Sequence, residues 1–378
     1  MPASERTTPA LRVLMTADAV GGVWQYALDA AQGMRAHGVE TTLAVLGPAP
    51  SDDQTGQAEA LGIEVIMTDL PLDWTADHAG AVRESGRAVA RLAAEIQPDI
   101  VHLNSPALFA GADFACPVVA VCHSCVATWW DAVRGGSLPG EFVWRTELVR
   151  QGYQRADTLL APTAAFADAT ARVYGLARAP TVVRNGRQPI TERNSRRHAL
   201  FAFTAGRLWD EGKNFAAVDR AASRLSLPIL AAGPLEGPNG ARMTARHATA
   251  LGRLSDAEVA SYLSAQPIFV SAARYEPFGL AVLEAAQAGC ALVLSDIPTL
   301  RELWEDAALF VDPDDDEAIA RSIDRLAADD DARRAMGKAA SDRASIYSLE
   351  SMSTGLLSAY MSLLPSKVDP LSLKGAVA

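Results

Sequence analysis

Two glutamates, Glu276 and Glu284, flank the start of a predicted helix in the second half of the chain. A strand-like run at residues 268–271 leads to a Pro/Gly turn at residues 276–279, and an apolar-periodic segment follows at residues 280–288. A helix N-terminus presents unpaired N–H groups and the positive end of a dipole, so it favours anionic or polyoxygenated ligands. Carboxylates beside such donors can accept hydrogen bonds from sugar or ribose hydroxyls. For either glutamate alone, the alternative is a capped surface helix without a ligand.

Two cations occupy a similar position earlier in the same half. The predicted strand at residues 199–204 runs into Gly206, which permits a turn, and Arg207 and Lys213 follow it. Arg207 would stand at the strand end and Lys213 at a helix start. Fixed cations beside helix-start N–H groups could clamp a diphosphate.

The first half begins with a strand, a glycine pair and a helix. Residues 11–16 form a short apolar run, Gly21 and Gly22 follow, and residues 23–37 have helical periodicity. This order predicts a parallel α/β sheet, and the glycine pair lets the backbone approach a ligand closely. The dinucleotide fingerprint G-x-G-x-x-G is absent, which disfavours a nicotinamide oxidoreductase. A lone glycine pair is also typical of a simple tight turn.

His123 directly follows an apolar strand predicted at residues 118–122. Ligands of open α/β sheets gather at the carboxyl ends of strands, so the position suits chemistry, although a structural histidine is the alternative. Cys122 and Cys125 have the spacing of a redox motif, but no second cysteine pair exists for zinc, which favours a buried thiol. Four cysteines in 378 residues suggest reduced, cytosolic thiols.

Two further segments have competing interpretations. Trp129 and Trp130 precede a Gly-rich stretch at residues 135–140, which we interpret either as an acceptor-binding lid or as a long loop anchored by aromatic side chains. The acidic run at residues 312–317 could suggest a metal site, but carboxylates suit a helix N-terminus better. We therefore predict no metal site.

Length and charge set the wider frame. The chain has 378 residues, enough for two domains with full cores, and a formal net charge of −11, which argues against nucleic-acid binding. No apolar run is long enough to span a bilayer. We predict two Rossmann-like α/β domains facing across a cleft, at residues 1–187 and 199–345. A C-terminal helical segment at residues 346–378 is expected to cross back to the first domain.

The motifs together resemble the retaining, metal-independent glycosyltransferase family 4, which has the GT-B architecture. The resemblance covers nearly the whole chain and rests on pieces in the expected order: Gly21-Gly22, His123, Asn185-Gly186, Arg207-(x5)-Lys213, residues 252–258, and Glu276-Pro-Phe-Gly-Leu-(x3)-Glu284. Gly212-Lys213 departs from the family's usual Lys-Gly order, and Arg187-Gln188 stands where a hydrophobic and an acidic residue are usual.

The resemblance implies a nucleotide-diphosphate sugar as donor and a role for each matching residue. Arg207, Lys213 and the N–H of Gly22 would bind the diphosphate, and Glu284 would hold the ribose. The transferred sugar would lie against Glu276 and the N–H groups after it, with His123 beside it, and backbone near the start of the 253–264 segment would read the base. The residues with an implied donor-binding role on these two segments are Arg253, Leu254, Phe278, Gly279 and Leu280.

The implied reaction transfers a hexosyl group to a hydroxyl acceptor with retention of configuration and without a metal or other cofactor. Two alternatives share the architecture: a nucleotide-sugar epimerase and a non-catalytic nucleotide-sugar-binding protein. A glycosidase is disfavoured because one carboxylate of the pair is expected on the ribose. We expect a cytoplasmic protein, and contact with the inner face of the membrane stays open because similar enzymes often use lipid-linked acceptors. The sequence does not predict the oligomeric state.

Overall fold

The computed structural model describes residues 11–189, 199–238 and 240–364. The first and last segments of the chain and residues 190–198 of the predicted linker lie outside the described residues. Within the described ranges, two parallel β-sheets alternate with helices, which confirms the predicted α/β fold of two Rossmann-like halves. The predicted limits at residues 187, 199 and 345 stay a prediction.

The first sheet has the strand order β3-β2-β1-β4-β5-β6-β7, with every pair parallel. Its strands are β1 (Leu11–Asp18), β2 (Val39–Leu46), β3 (Glu64–Met67), β4 (Ile100–Leu103), β5 (Val118–Val121), β6 (Thr158–Ala161) and β7 (Thr181–Val182). Its helices are α1 (Gly22–Arg35), α2 (Asp52–Ala60), α3 (Ala79–Ile96), α4 (Val126–Val133), α5 (Gly140–Arg155) and α6 (Ala164–Tyr174).

The second sheet has the order β10-β9-β8-β11-β12-β13 and is also parallel. Its strands are β8 (Ala202–Ala205), β9 (Ile229–Ala232), β10 (Thr249–Gly252), β11 (Ile268–Ser271), β12 (Ala291–Ser295) and β13 (Leu309–Val311). Its helices are α7 (Phe215–Ala222), α8 (Asp256–Ser264), α9 (Leu280–Gln287), α10 (Pro298–Trp304), α11 (Asp316–Ala328) and α12 (Asp330–Ala344), and α13 (Leu349–Leu363) follows.

Each sheet reverses its strand order at one point, and this reversal positions the site. The reversal lies between β1 and β4 in the first sheet and between β8 and β11 in the second. Ligands of open α/β sheets bind in the crevice outside the carboxyl ends of such strands. The glycine pair follows β1, Arg207 follows β8, and Glu276 follows β11, so the topology sends these predicted residues to the two crevices.

The last helix packs on the first sheet's side of the molecule. Leu349, Met352, Leu356 and Tyr360 of α13 are buried in one hydrophobic cluster with α1 and β1. Helix α13 therefore packs against the first half of the chain, although it follows the second half in the sequence. No helix among the described residues is long and apolar enough to cross a membrane.

The prediction of the second sheet's capped helices is confirmed at two positions. Ser255 and Glu258 form the capping box of α8, and Gly289 follows α9 with a φ of +82°. Asp315 caps α11 by accepting a hydrogen bond from the N–H of Ala318. The acidic run is thus a helix start, as predicted.

Two helices of the first half did not follow from the sequence. The segment of α2 has no apolar stripe and buries only Ala58, so hydrophobic periodicity could not find it; its signal was the capping box of Ser51 and Gln54. Trp129 and Trp130, predicted to flank a Gly-rich loop, lie on helix α4, and only residues 134–139 separate this helix from α5. The β-branched and aromatic residues of α4 have weak helix propensity, which tertiary packing overrides.

Candidate functional site

The glycine pair after β1 lies directly against the second half of the molecule. A Cβ atom added to Gly21 would stand 3.0 Å from Nη1 of Arg207, and one added to Gly22 would stand 3.5 Å from Cδ1 of Leu280. Gly22 is the first residue of α1, so its N–H is among the unpaired donors of that helix. The pair faces Arg207 and the start of α9 across the cleft, which leaves little room for a side chain at Gly21.

Arg207 and Lys213 both lie close to Asp210. Nη2 of Arg207 is 2.9 Å from Oδ2 of Asp210. Burial alone would raise the pKa of Asp210, but the charges of Arg207 and Lys213 hold that pKa below its usual value. Asp210 also caps the short 3₁₀ turn of residues 211–213 by accepting from the N–H of Gly212. The structure therefore brings the two predicted cations around one carboxylate.

Lys213 forms an ion pair with Glu276. The two side chains line a small cavity together with Gly206. Their exposed fractions are 24% for Lys213 and 12% for Glu276, so water screens this pair less than it would an ion pair on the open surface. A cation and a carboxylate from two loops of the second sheet thus meet at its crevice.

The turn that contains Glu276 is held from both halves. The carbonyl oxygen of Glu276 accepts a hydrogen bond from Oγ1 of Thr299 in the second half at 2.6 Å. The carbonyl oxygen of Pro277 accepts one from Oγ1 of Thr163 in the first half at 3.0 Å. Gly279 has a φ of +90°, a conformation that strongly favours glycine, and immediately precedes α9. Phe278 is buried in the second half's core. Leu280 is the first residue of α9, so its N–H is one of the unpaired donors of that helix.

Glu284 is already paired in this structure. It forms an ion pair with Arg187, whose Nε is 3.2 Å from Oδ2 of Asp29 on α1. The three side chains are only 8–16% exposed. Burial raises the pKa of Asp29 to about 6, although the Arg187 charge opposes that rise. Arg187 therefore joins the linker, α1 of the first half and α9 of the second.

His123 lies at the carboxyl end of β5, as predicted, and contacts polar and aromatic groups. Its Nε2 is 2.8 Å from Oδ1 of Asn104, and its ring meets the edge of Tyr26 at a centroid distance of 4.4 Å. Burial, followed by the neighbouring His102, lowers the pKa of His123 to about 3. The imidazole is therefore neutral at physiological pH.

Tyr275, in the loop after β11, contacts the first half near His123. Its hydroxyl lies 2.8 Å from Oγ1 of Thr128 and accepts from the N–H of Cys125 at 3.3 Å. Since Cys125 is two residues from His123 and Tyr275 precedes Glu276, His123 and Glu276 stand on segments that touch.

Helix α4 also contacts the loop that contains Arg207, Asp210 and Lys213. Nε1 of Trp129 donates to Oδ1 of Asp210 at 3.1 Å, and Nη2 of Arg134 is 2.6 Å from Oε2 of Glu211. A Cβ atom on Gly212 would stand 2.7 Å from the Trp129 indole nitrogen. The tryptophan pair thus belongs to a helix docked on the second half.

The predicted base-reading residues lie apart from the ion pairs described above. Arg253 is exposed in the turn between β10 and α8, and Leu254 is half-buried against the second half's core. The N-terminal turn of the same helix contacts the first half, because Nε2 of Gln57 donates to Asp256 at 3.1 Å.

The buried thiol predicted at Cys122 is confirmed. All four cysteines are free, and Cys122 is buried. Sγ of Cys125 accepts from the N–H of Thr128 at 3.5 Å and so caps α4.

Several residues of the site were missed by the sequence interpretation. Asn104 stands at the end of β4, beside the strand reversal, and that position was its only sequence signal. In the sequence, Arg187 was noted only as a departure from the family pattern, and neither of its ion-pair partners could be predicted. Asp18 and Asp73, whose pKa values are raised by burial, had no signal because their surroundings come from distant segments.

Family comparisons agree with this geometry. Residues 20–189 match the model described as Glycosyltransferase Family 4, and residues 235–343 match the model described as Glycosyl transferases group 1. Together they cover about three quarters of the chain.

Among curated relatives, O-antigen chain mannosyltransferase B of Escherichia coli is 34% identical over 110 residues, which span 29% of each chain. The glycogen synthase of Mycobacterium tuberculosis is 26% identical over 340 residues, covering 77% of this chain and 80% of that protein.

Solved structures share the architecture. Sucrose-phosphate synthase from Thermosynechococcus elongatus superposes with a TM-score of 0.75 at 17% identity, covering 94% of this chain and 100% of that one. HepE of Anabaena, solved in complex with UDP, gives a TM-score of 0.70 at 16% identity, with 93% and 100% covered. The chain therefore belongs to the glycosyltransferases of the family 4 type with the GT-B architecture.

Proposed function

We propose that this glycosyltransferase moves a hexosyl group from a nucleotide-diphosphate sugar to a hydroxyl acceptor, with retention of configuration and without a metal ion. The observation that carries the proposal is the cluster of Arg207 and Lys213 at the second sheet's crevice, opposite the Gly21-Gly22 loop. Two cations and a helix N-terminus are the groups that stabilise a departing diphosphate.

The donor-binding residues divide into two groups in this proposal. Arg207, Lys213 and the N–H of Gly22 bind the diphosphate, while Glu276 and the N–H groups of residues 278–280 orient the transferred sugar. The cavity shared by Lys213 and Glu276 supports this division, because it places the cation for the phosphate beside the carboxylate for the sugar. Glu284 takes the ribose, and backbone at Arg253 and Leu254 takes the base.

The bond changes need no enzymic nucleophile. The bond between the anomeric carbon and the diphosphate oxygen breaks, and the electron pair leaves with the nucleotide diphosphate. The acceptor oxygen attacks the same face of the sugar, and its proton passes to the departing diphosphate oxygen. Arg207 and Lys213 stabilise the charge that develops on the leaving group, so a bound metal is not required.

The acceptor side is assigned to the first half, where Asp18 and Asp73 lie at the sheet's crevice. Burial raises the pKa of both carboxyls, and Oγ of Ser105 donates to Asp73 at 3.2 Å. Carboxyl groups in such a position can accept hydrogen bonds from the hydroxyls of an acceptor. A cytoplasmic site of action fits the proposal because the described cysteines are all free.

A donor panel tests the proposal. UDP-, GDP- and ADP-hexoses are incubated in EDTA with simple alkyl glycosides as acceptors, and mass spectrometry follows transfer and hydrolysis. Proton NMR of the product then gives the anomeric configuration. We expect one donor class to be consumed in EDTA with retention; an inverted product or a strict divalent-ion requirement would overturn the proposal. Donor conversion without an acceptor would identify an epimerase, and binding without turnover would identify a silent binding protein.

A further inference from the structure

An arginine from outside α9 holds the carboxylate that is proposed to bind the ribose. Nη1 of Arg187 forms an ion pair with Glu284 on α9, and Nε of the same guanidinium lies 3.2 Å from Oδ2 of Asp29 on α1. Among the described residues, Arg187 is the one side chain that hydrogen-bonds to Glu284. The orientation of the Glu284 carboxylate therefore depends directly on Arg187.

The backbone at Arg187 is fixed by contacts that do not involve its guanidinium. Its N–H donates to the carbonyl oxygen of Tyr347 at 3.2 Å, and its carbonyl oxygen accepts from Nε2 of Gln287 at 3.0 Å. A Cβ atom on the preceding Gly186 would stand 2.0 Å from the carbonyl oxygen of Ser348, so the chain is packed tightly just before the arginine. The guanidinium thus extends from a rigid base.

The guanidinium is also anchored at its Nε atom. Asp29, which pairs with it there, is buried, and Oδ1 of Asp29 accepts from Nε2 of Gln25 at 3.0 Å. The planar fork of an arginine that is anchored at one nitrogen loses little further side-chain entropy when another nitrogen binds a second carboxylate. Arg187 is therefore preorganised to orient Glu284.

Helices α1 and α9 place these ion pairs beside the proposed diphosphate site. Gly22 begins α1 and Leu280 begins α9, and a Cβ atom on Gly22 would stand 3.5 Å from Cδ1 of Leu280. Glu284 lies about one turn into α9, and Asp29 lies about two turns into α1. The ribose of a nucleotide diphosphate is bonded directly to its phosphates, so Glu284 stands within one helical turn of the group that it would follow.

The ion pair leaves room for a ribose hydroxyl on Glu284. A carboxylate has two oxygens and about four lone-pair sites, and Arg187 contacts Oε1. A hydroxyl can therefore donate to Oε2 while the guanidinium stays in place. Without the guanidinium, the nucleotide itself would have to immobilise the glutamate side chain, and this ordering would reduce its affinity.

We propose that Arg187 is a specificity-determining residue of the donor site: it holds Glu284 in the orientation that accepts a hydrogen bond from a ribose hydroxyl, and so strengthens the preference for a ribonucleotide. The inference rests on the proposed function, in which Glu284 binds the ribose. Arg187 stands where a hydrophobic residue is usual in the family, so this role belongs to the sequence of this chain.

Arg187→Met tests the proposal, with Arg184→Met as the matched control. Arg184 lies three residues earlier and also pairs with a glutamate of the second half, since its Nη2 is 2.9 Å from Oε1 of Glu302. Each variant removes one guanidinium and its ion pair with that glutamate. Calorimetric titration in EDTA compares UDP, GDP and ADP with their 2′,3′-dideoxy counterparts, which keep the base and the diphosphate but have no ribose hydroxyls.

The affinity ratio between the two forms of a nucleotide is the readout. We expect the wild type to bind one ribonucleotide at least about tenfold more tightly than its dideoxy form, as for a hydrogen bond to a charged group. Arg187→Met should reduce this ratio about fivefold, because the nucleotide must then order the glutamate, whereas Arg184→Met should keep it within about twofold. A general loss of stability would weaken both forms alike and leave the ratio unchanged.

A double-mutant cycle with Glu284→Ala separates orientation of the carboxylate from packing. In the Glu284→Ala background, Arg187→Met should change the affinity ratio by less than about twofold, because the group that Arg187 orients is gone. A fivefold change that persists without Glu284 would contradict the proposal.

Two further results would overturn it. One is a wild type that prefers the ribonucleotide and an Arg187→Met variant with the same preference, which would leave the proposed function intact. The other is tighter binding of the ribonucleotide by Arg187→Met, which would show that Arg187 competes with the ribose for Glu284. Absence of binding by all three nucleotides to the wild type would overturn the proposed function together with this inference.

Discussion

The crevices of the two sheets have the same topology but contain different kinds of polar contact. At the first sheet, His102, Asn104 and His123 are joined by hydrogen bonds between neutral groups. At the second sheet, Arg207 with Asp210 and Lys213 with Glu276 form ion pairs. In the proposed reaction, the ion-paired residues of the second crevice would hold the charge of the diphosphate leaving group.

The two crevices also differ in how far apart in the sequence their residues lie. Both cations of the second crevice come from one stretch of seven residues, whereas the first crevice's network spans Thr16 to Tyr360. The four predictions that follow test these differences between local and distant contacts.

Removal of Lys213 should have the largest effect. Lys213→Ala takes away the cation that pairs with Glu276, and loss of one fixed charge-stabilising group costs roughly 10²–10³ in kcat. The control Lys338→Ala removes an exposed lysine that pairs with Asp342 on α12, and steady-state kinetics should find it unchanged. Comparable activity in the two variants would contradict the assigned role of the cation.

Removal of Arg187 should destabilise the junction between the halves. Arg187→Ala leaves Asp29 and Glu284 as largely buried carboxylates without their cation, so the free energy of unfolding should fall by about 3–5 kcal/mol. Urea denaturation measures this loss. Arg321→Ala, which breaks two exposed ion pairs, should change stability by less than about 1 kcal/mol. Equal losses in the two variants would contradict a stabilising role of the Arg187 contacts.

Asp29 should give the stability a distinct pH dependence. Because burial raises its pKa to about 6 from 3.8, the folded state binds the proton more tightly than the unfolded state. Its contribution is fully present below about pH 4 and is lost as the pH rises through about 6, a change of about 3 kcal/mol. Asp29→Asn should remove this fall, as seen in urea titrations between pH 4 and 7, while the exposed control Asp168→Asn should keep it.

The buried thiols should show the smallest effect. Burial raises the pKa of Cys122 and Cys290, so neither thiol should react with iodoacetamide at neutral pH while the protein is folded. Mass spectrometry should find half-buried Cys116 labelled first, and Cys122→Ser should keep kcat within about twofold. Rapid labelling of native Cys122 would revive a reactive-thiol interpretation of the Cys122–Cys125 spacing.

Much of the second crevice could be predicted because its signals are local. Strand, glycine turn, cation and helix start follow one another within residues 202–215, and Glu276 and Glu284 flank one short helix. Hydrophobic periodicity and helix-end chemistry are sufficient to place such residues. The pairing of Lys213 with Glu276 still required the fold, because β8 and β11 are neighbours only in the sheet.

The first crevice could be predicted only in part. His123 was placed by its strand end, but Asn104, His102 and Tyr360 act through contacts that no local pattern encodes. The same holds for Arg187, whose partners lie on α1 and α9. A charged side chain in a polar linker is usually solvated, so only tertiary structure reveals that this one is largely buried.

Calorimetric titration of UDP, GDP and ADP in EDTA tests the central claim most directly. We expect one of these nucleotide diphosphates to bind the wild type and Lys338→Ala alike, and to bind Lys213→Ala at least about tenfold more weakly, which corresponds to about 1.4 kcal/mol. The absence of binding by all three nucleotides in EDTA, with binding restored by a divalent cation, would contradict the claim. So would equal affinity in Lys213→Ala and the wild type.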